Sequence, residues 1–427
     1  MTKMKDSGIE WIGAIPAHWK TLRLKYTSTL KGRIGWQGLR TDEYIEEGPY
    51  LITGTDFDNG VINWDSCVHV SEGRFNQDIN IQIKEDDLLV TKDGTIGKVA
   101  IALNCPEKVS LNSGVFIVRN NKAYKYIDKF LYYVILSNEF LFWYDLSQHG
   151  NSTIKHLTQE NFYEFSFAYP PLNEQKRIAS FLDSKCSKID ETLNEISEQI
   201  IVLEKYKKSV ISEAVSKGLN SAKLKESGMG WIKSIPQNWS ISRIASVYKL
   251  RNTKVNDRDY PPLSVTMKGI VPQLESAAKT DAHDDRKLVC KGDFAINSRS
   301  DRRGSCGISP CDGSISLINI VLCPLRNMDP GYYNWLFHTI EFADEFYKCG
   351  HGIVDDLWTT GWQEMKNIII PQPPLAEQKA ISSYLDKKCS EIDSAIQSKK
   401  DEFDALMKYK ESLIYEYVTG KKEAPNE

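Results

Sequence analysis

The chain has 427 residues, 41% of them apolar, and a formal charge of -3 at pH 7. That length supports two or three ordinary domains with their own cores. The near-balanced charge excludes a surface that is basic throughout, so any nucleic-acid contact has to come from local basic patches. No run of about 18 apolar residues occurs, and Met1–Lys5 lead into a polar segment, so neither a membrane span nor a secretory signal is expected; the chain is placed in the cytoplasm. The nine cysteines are odd in number and form no Cys-x-x-Cys pair. They read as reduced thiols; Cys306 and Cys311 lie closest, with no second pair to complete a zinc site.

In chain order, the first feature is a block at Lys5–Trp19, KDSGIEWIGAIPAHW, which returns at Lys225–Trp239 as KESGMGWIKSIPQNW with eight of 15 positions identical. A variable segment follows. Tyr50–Gly54, Leu88–Thr91, Lys98–Ala102 and Gly114–Arg119 have the composition of strands bounded by turn residues, and Ile127–Tyr144 that of an aromatic-rich helix. After Pro170-Pro171 comes a long helix with Asn173 as its expected N-cap and Glu174 in its first turn. Leu182, Cys186, Ile189, Leu193, Ile196, Ile200, Leu203 and Val210 mark an a/d heptad seam, and Gly218 marks the stop.

The second variable segment has predicted strands at Pro262–Thr266, Asp293–Ile296 and Ser314–Leu322 and a helix over Gly331–Phe346. The long helix then repeats. Pro374–Asp393, PLAEQKAISSYLDKKCSEID, matches Pro171–Asp190, PLNEQKRIASFLDSKCSKID, at 14 of 20 positions. Its seam, Leu385, Cys389, Ile392, Ile396, Phe403, Leu406 and Leu413, is interrupted by Lys399, and Gly420 ends it. Each helix spans about 44 residues, or roughly 65 Å at 1.5 Å per residue. The segments between the matched blocks, 20–170 and 240–373, show little similarity to each other. A duplication that keeps its frame and varies its payload suits a protein reading two different half-sites. Packing the helices antiparallel would bring the N- and C-terminal segments together.

Three clusters have residues that bridge phosphates or pair with base edges: Arg and Lys with phosphate or guanine, Asn and Gln with adenine. The first supplies Lys31, Arg33, Trp36, Gln37 and Arg40. The second is a tight loop with Lys92, Thr95 and Lys98. The third, the densest basic stretch, supplies Asn297, Arg299, Arg302 and Arg303. Weaker candidates are Asn151, Ser152, Lys155 and His351. No catalytic residues or metal ligands are expected. Tyr169-Pro-Pro-Leu172, Tyr260-Pro-Pro-Leu263 and Gln372-Pro-Pro-Leu375 lack the polar and aromatic flanks of an adenine methyltransferase site, and Gly94–Lys98 lacks the spacing and magnesium-binding hydroxyl of a phosphate loop.

The paired Pro-Pro-Leu-x-Glu-Gln-Lys helix entries (Pro170–Lys176, Pro373–Lys379), the Trp-Ile-x-x-Ile-Pro-x-x-Trp blocks, the Gly-Thr-Ile-Gly-Lys loop at 94–98, and Gly292–Asn297 followed by Arg303–Ser309 resemble the specificity subunit of type I restriction-modification systems. The resemblance implies an α+β fold: two strand-rich target recognition domains joined by two long antiparallel coiled-coil helices in a pseudo-twofold tandem repeat. Its expected divisions are 1–169, 170–219, 220–372 and 373–427. It implies a non-catalytic subunit that reads a bipartite site in double-stranded DNA, one domain per half-site. It further implies helices that act as spacers and dock two methyltransferase subunits, restriction subunits that join them, and S-adenosylmethionine, ATP and magnesium carried by those partners. No cofactor and no membrane contact are expected for this chain. The second reading is a coiled-coil adaptor whose two lobes bind proteins.

Overall fold

A computed structural model describes residues 3–33, 39–121, 123–147, 156–275, 283–352 and 358–425, the Ser300 side chain excepted. The chain forms two compact units. Unit 1 comprises Met1–Ile196 with Asp401–Glu427, and unit 2 comprises Ser197–Lys400.

The strands of unit 1 include β1 (Ser28–Gly32), β2 (Ile45–Ile52), β3 (Leu88–Thr91), β4 (Val99–Ile101), β5 (Val109–Leu111) and β6 (Val115–Asn120). The main sheet runs β1-β6-β3-β4, antiparallel at every step, and continues into short strands at Val61–Ile62 and Phe57–Asp58. β3 and β4 are buried along their whole length, which explains their unbroken apolar runs. The expected aromatic helix is two helices, α1 (Asp128–Leu136) and α2 (Asn138–Ser147). The break falls at Ser137, whose extended backbone stops α1 while its buried Oγ donates to Val134 O at 2.7 Å.

The long helix α3 covers Leu172–Lys217. It starts one residue before the expected cap. Pro171 O accepts the first helical bonds, from Glu174 N at 2.9 Å and Gln175 N at 3.0 Å, so Asn173 lies inside the first turn.

Unit 2 holds β7 (Tyr248–Arg251), β8 (Phe294–Asn297), β9 (Cys306–Ile308), β10 (Gly313–Ser316) and β11 (Asn319–Pro324). The predicted strand Ser314–Leu322 is thus two strands, and the predicted helix is again two, α4 (Pro330–Phe337) and α5 (Ile340–Lys348). Thr339 makes the second break by capping α5, its hydroxyl accepting from Phe342 N at 3.2 Å. The sheet runs β7-β11-β8-β9, all antiparallel. Two segments with little sequence similarity therefore share one strand order and one following helix pair. The last helix, α6, covers Leu375–Val418.

The repeated helix-entry motif has a structural explanation. Gln175 is fully buried; its Nε2 donates to Pro170 O at 2.8 Å and its Oε1 accepts from Ile127 N at 3.0 Å, just before α1. Gln378 does the same in unit 2, with Pro373 O and Asp329 N, both at 2.8 Å. One amide thus ties each long helix to the start of its lobe's helix pair. Gln378→Leu fits the space but strands a buried N–H and a buried carbonyl, which is expected to cost about 2–4 kcal/mol. Thermal melting reads this as destabilisation of unit 2, and an unchanged transition would contradict the assignment. Glu174, in the same motif, accepts from Trp19 Nε1 and His18 Nε2, each at 2.8 Å, and so holds the entry block.

Within each unit the two long helices run antiparallel. In unit 1, Lys410 Nζ donates to Asp190 Oδ1 at 2.5 Å and Phe181 packs on Tyr417 at 4.5 Å between ring centroids. In unit 2, Lys207 Nζ donates to Asp393 Oδ2 at 2.6 Å. Both partners are shifted by 203 (410 minus 207, 393 minus 190), so the duplication repeats the tie. The seam residues Leu182, Cys186, Ile189, Leu193 and Ile196 are buried, as are Leu385, Cys389, Ile392 and Ile396. Lys399, the polar interruption, is half-buried.

α6 ends where a glycine was expected. Gly420 has φ +71, and a Cβ there would stand 2.5 Å from Pro16 Cδ, so glycine lets the chain turn against the entry block. Lys421 Nζ then donates to Ile12 O at 2.8 Å, which closes the C-terminal segment onto the N-terminal one. No described helix is long and apolar enough to cross a membrane.

Candidate nucleic-acid interface

The shared strand order places two of the candidate clusters at the same position in their lobes. The loop at 92–98 joins β3 to β4, and the loop at 298–305 joins β8 to β9. Each is fastened to the segment that follows its helix pair. In unit 1, Leu157 N donates to Lys92 O at 2.9 Å, and Asp93 forms a bridge with His156 that includes a short carboxylate–imidazole contact. In unit 2, Thr360 N donates to Ser298 O at 3.0 Å, and Thr359 bridges Arg299 on one side and His351 on the other. The structure thus brings Arg299 and His351 together through a residue, Thr359, that carries no signal in the sequence. His156 was missed in the same way.

The unit 1 loop is rigid by construction. Thr91 Oγ1 donates to Thr95 O at 2.6 Å and accepts from Lys98 N at 2.9 Å. Gly97 has φ +81 and lies so close to Phe140 that a Cβ would stand 2.8 Å from its ring. Thr95 and Lys98 are exposed. Lys92 is half-buried with its ammonium 4.8 Å from the centre of the Phe116 ring, and burial lowers its pKa. Lys31 is exposed on β1, and a Cβ on the next residue, Gly32, would stand 2.9 Å from that same Phe116 ring. Lys31 of the first cluster and Lys92 of the second therefore lie close to the same ring. Arg40 is exposed nearby in sequence. Trp36, Gln37, Asn151, Ser152 and Lys155 lie outside the described residues.

In the unit 2 loop, Arg299, Arg302 and Arg303 are all exposed. Tyr347 braces the loop from α5, its hydroxyl donating to Asn297 O at 3.2 Å or Arg302 O at 3.3 Å, and the Arg303 guanidinium lies 5.5 Å from the centre of its ring. Arg303 Nη2 also donates to Asp344 Oδ1 at 2.5 Å, an exposed pair that leaves the cation reachable. His351 is exposed.

Two candidates are corrected. Arg33 is 1% exposed; its Nε donates to Leu111 O at 2.8 Å and its Nη2 to Ser110 Oγ at 3.0 Å, and burial lowers its pKa. It joins β5 to the end of β1 and cannot reach DNA. Asn297 is 7% exposed, and its Oδ1 accepts from Arg299 N at 3.0 Å, so it shapes the loop and presents no edge to a base. Arg33→Met is accordingly expected to destabilise unit 1 through the unpaired Leu111 carbonyl by roughly 1–3 kcal/mol, read as a lower melting temperature. A loss of DNA affinity without any loss of stability would reinstate it as a contact.

Two lobes of one topology thus each carry a braced, solvent-facing loop at the same place, with exposed Lys98 in unit 1 and exposed Arg299, Arg302 and Arg303 in unit 2. The family described as the type I restriction modification DNA specificity domain matches residues 35–202. The type I restriction enzyme MjaVIII specificity subunit of Methanocaldococcus jannaschii is 25% identical over 430 residues, covering 95% of this chain and 93% of that protein. A protein of the same organism, provisionally named the type I restriction enzyme MjaX specificity subunit, is 26% identical over 443 residues, with 96% and 95% coverage. Among solved structures, a chain from a study of complex assembly and conformational transition of the type I R-M system has TM-score 0.73 at 16% identity, covering 96% of this chain and 99% of that one. The HsdS subunit from Thermoanaerobacter tengcongensis has TM-score 0.54, also at 16% identity, with 96% and 98% coverage. The chain is thus similar to type I specificity subunits over nearly its whole length and matches their DNA specificity domain over residues 35–202.

Proposed function

We propose that this chain reads a bipartite site in double-stranded DNA, one lobe per half-site, and directs adenine methylation or restriction carried out by other subunits in the cytoplasm. The observation that carries the reading is the equivalent placement of the 92–98 and 298–305 loops, which differ in sequence but sit on one scaffold. Different side chains in one geometry are what two different half-sites require. The exposed cations Lys98, Arg299, Arg302 and Arg303 supply the phosphate attraction that the overall charge of the chain does not. In this reading the chain is non-catalytic. The long helices space the two readers and dock two methyltransferase subunits. S-adenosylmethionine, ATP and magnesium are held by the methyltransferase and restriction subunits.

A pull-down tests it: the purified chain with its methyltransferase partner is mixed with a random duplex library, and the retained DNA is sequenced. Enrichment of two short motifs at a fixed gap is expected. Retention without sequence preference, or none, favours the adaptor reading, in which both lobes bind proteins.

A further inference from the structure

Unit 1 contains a groove of about 670 Å³ between α2, the entry block and the last turns of α6, lined among others by Glu10, Trp11, Glu139, Phe142, Lys408 and Glu411. Two buried polar atoms in its wall have no hydrogen-bond partner: Trp11 Nε1, a donor, and Glu139 Oε1, an acceptor. Glu139 is 93% buried (7% exposed). Lys421, the cation whose charge acts on it, spends its ammonium on the Ile12 and Ala14 carbonyls.

The matching positions of unit 2 are satisfied from within. Trp231, which stands where Trp11 stands in the repeated block, donates from Nε1 to Ile369 O at 3.0 Å. Glu341, second residue of α5 as Glu139 is of α2, accepts from Ser212 Oγ at 3.1 Å. At these two positions the scaffold thus leaves a buried donor and a buried acceptor unpaired in unit 1 and neither in unit 2, where Glu341 is exposed, and unpaired buried polar groups are costly enough to call for an explanation.

We propose that this groove receives an arginine of a methyltransferase subunit, its guanidinium on Glu139 and the adjoining backbone carbonyl on Trp11 Nε1. Charge selects that occupant. The carboxylates Glu10 and Glu411, with the buried acid Glu139 that a bound cation would ionise, face one lining cation, Lys408, so phosphate is repelled and a cationic group drawn in. Shape selects it as well. Trp11 and the 52% exposed Phe142 offer aromatic surface on which a planar guanidinium stacks better than a compact ammonium. The source of the arginine rests on the assembly proposed above; the chemistry of the groove does not.

The test has two arms. In the first, the full chain labelled with 5-fluorotryptophan is titrated with N-acetylarginine amide and, separately, with the lysine and glutamine amides. Trp11→Phe assigns the resonance. A saturable shift of the Trp11 signal by the arginine probe, at least tenfold weaker with the lysine probe and absent in Glu139→Gln, is expected. No shift, an equal shift with the glutamine amide, or a shift that persists in Glu139→Gln overturns the site and leaves an ordered water as its only occupant. In the second arm, Glu139→Gln is expected to weaken binding of the complete chain to the methyltransferase subunit about tenfold at low salt, while Glu341→Gln does not. Equal affinities overturn the methyltransferase as the source. A wild-type chain that binds no methyltransferase subunit fails the assembly reading and with it the source of the arginine, while the first arm still decides the groove.

Discussion

Arg299→Ala combined with Arg303→Ala is expected to lower the affinity of the methyltransferase-bound chain for its target about 10–100-fold at moderate salt. Both guanidinium groups are exposed on a loop whose backbone is held independently of them, by Tyr347, Thr359 and the Asn297 side chain. If both contact phosphate, the salt dependence of binding flattens by roughly 1.8 in log–log slope. If one pairs with guanine, discrimination at that base falls by about 1–3 kcal/mol instead. The variant should stay folded. Its main structural loss is the Arg303–Asp344 pair, 55% and 59% exposed, and exposed pairs are worth about 0–1 kcal/mol. Unchanged affinity with unchanged methylation would remove this loop from the interface.

Glu139→Gln is expected to make the free chain more stable at alkaline pH. Burial pushes the Glu139 carboxyl up to about 8, only partly opposed by the charge of Lys421. The unfolded chain releases this proton near pH 4.5, the ordinary value for the group, while the folded chain keeps it until about pH 8. Between those values the unfolded state binds fewer protons, so stability falls as pH rises, and the penalty is complete above pH 8. A shift from 4.5 to about 8 sets a ceiling of about 5 kcal/mol at about 1.4 kcal/mol per unit. The amide carries no such penalty. Melting followed from pH 5 to 9 should show parental and variant curves together at the acid end and the variant several degrees higher at the alkaline end. Parallel curves across the range would place the carboxylate in contact with solvent.

The sequence displayed the frame of this protein better than its readers. The duplicated helix entries were visible because their side chains make specific pairings: Gln175 and Gln378 each satisfy the equivalent two backbone groups. Such pairings tolerate few alternatives, so the letters stay alike. The lobes share strand order β1-β6-β3-β4 and β7-β11-β8-β9 without sharing letters, since a buried strand asks only for apolar side chains of suitable volume. Their common topology was therefore illegible, and so was the equivalence of the two loops.

The helix breaks were hidden for a related reason. Ser137 and Thr339 sit within aromatic runs whose periodicity continues past them, and only the local hydroxyl bonds reveal the stop. Arg33 was misread because a basic residue among glycines has the composition of a solvated loop. Its burial depends on Leu111 and Ser110, almost 80 positions away. Arg299, Arg302 and Arg303 were readable because density of charge needs no partner to be seen.

The central claim, that each lobe reads its own half of one DNA site, is tested most directly by mapping methylated adenines across the genome of cells carrying this chain with its methyltransferase, for the parent and for Arg299→Ala with Arg303→Ala. The account predicts two short motifs at a fixed gap in the parent, and in the variant a relaxed or lost preference in one motif with the other motif and the gap retained. A single contiguous motif, or a variant in which both halves change together, would contradict it.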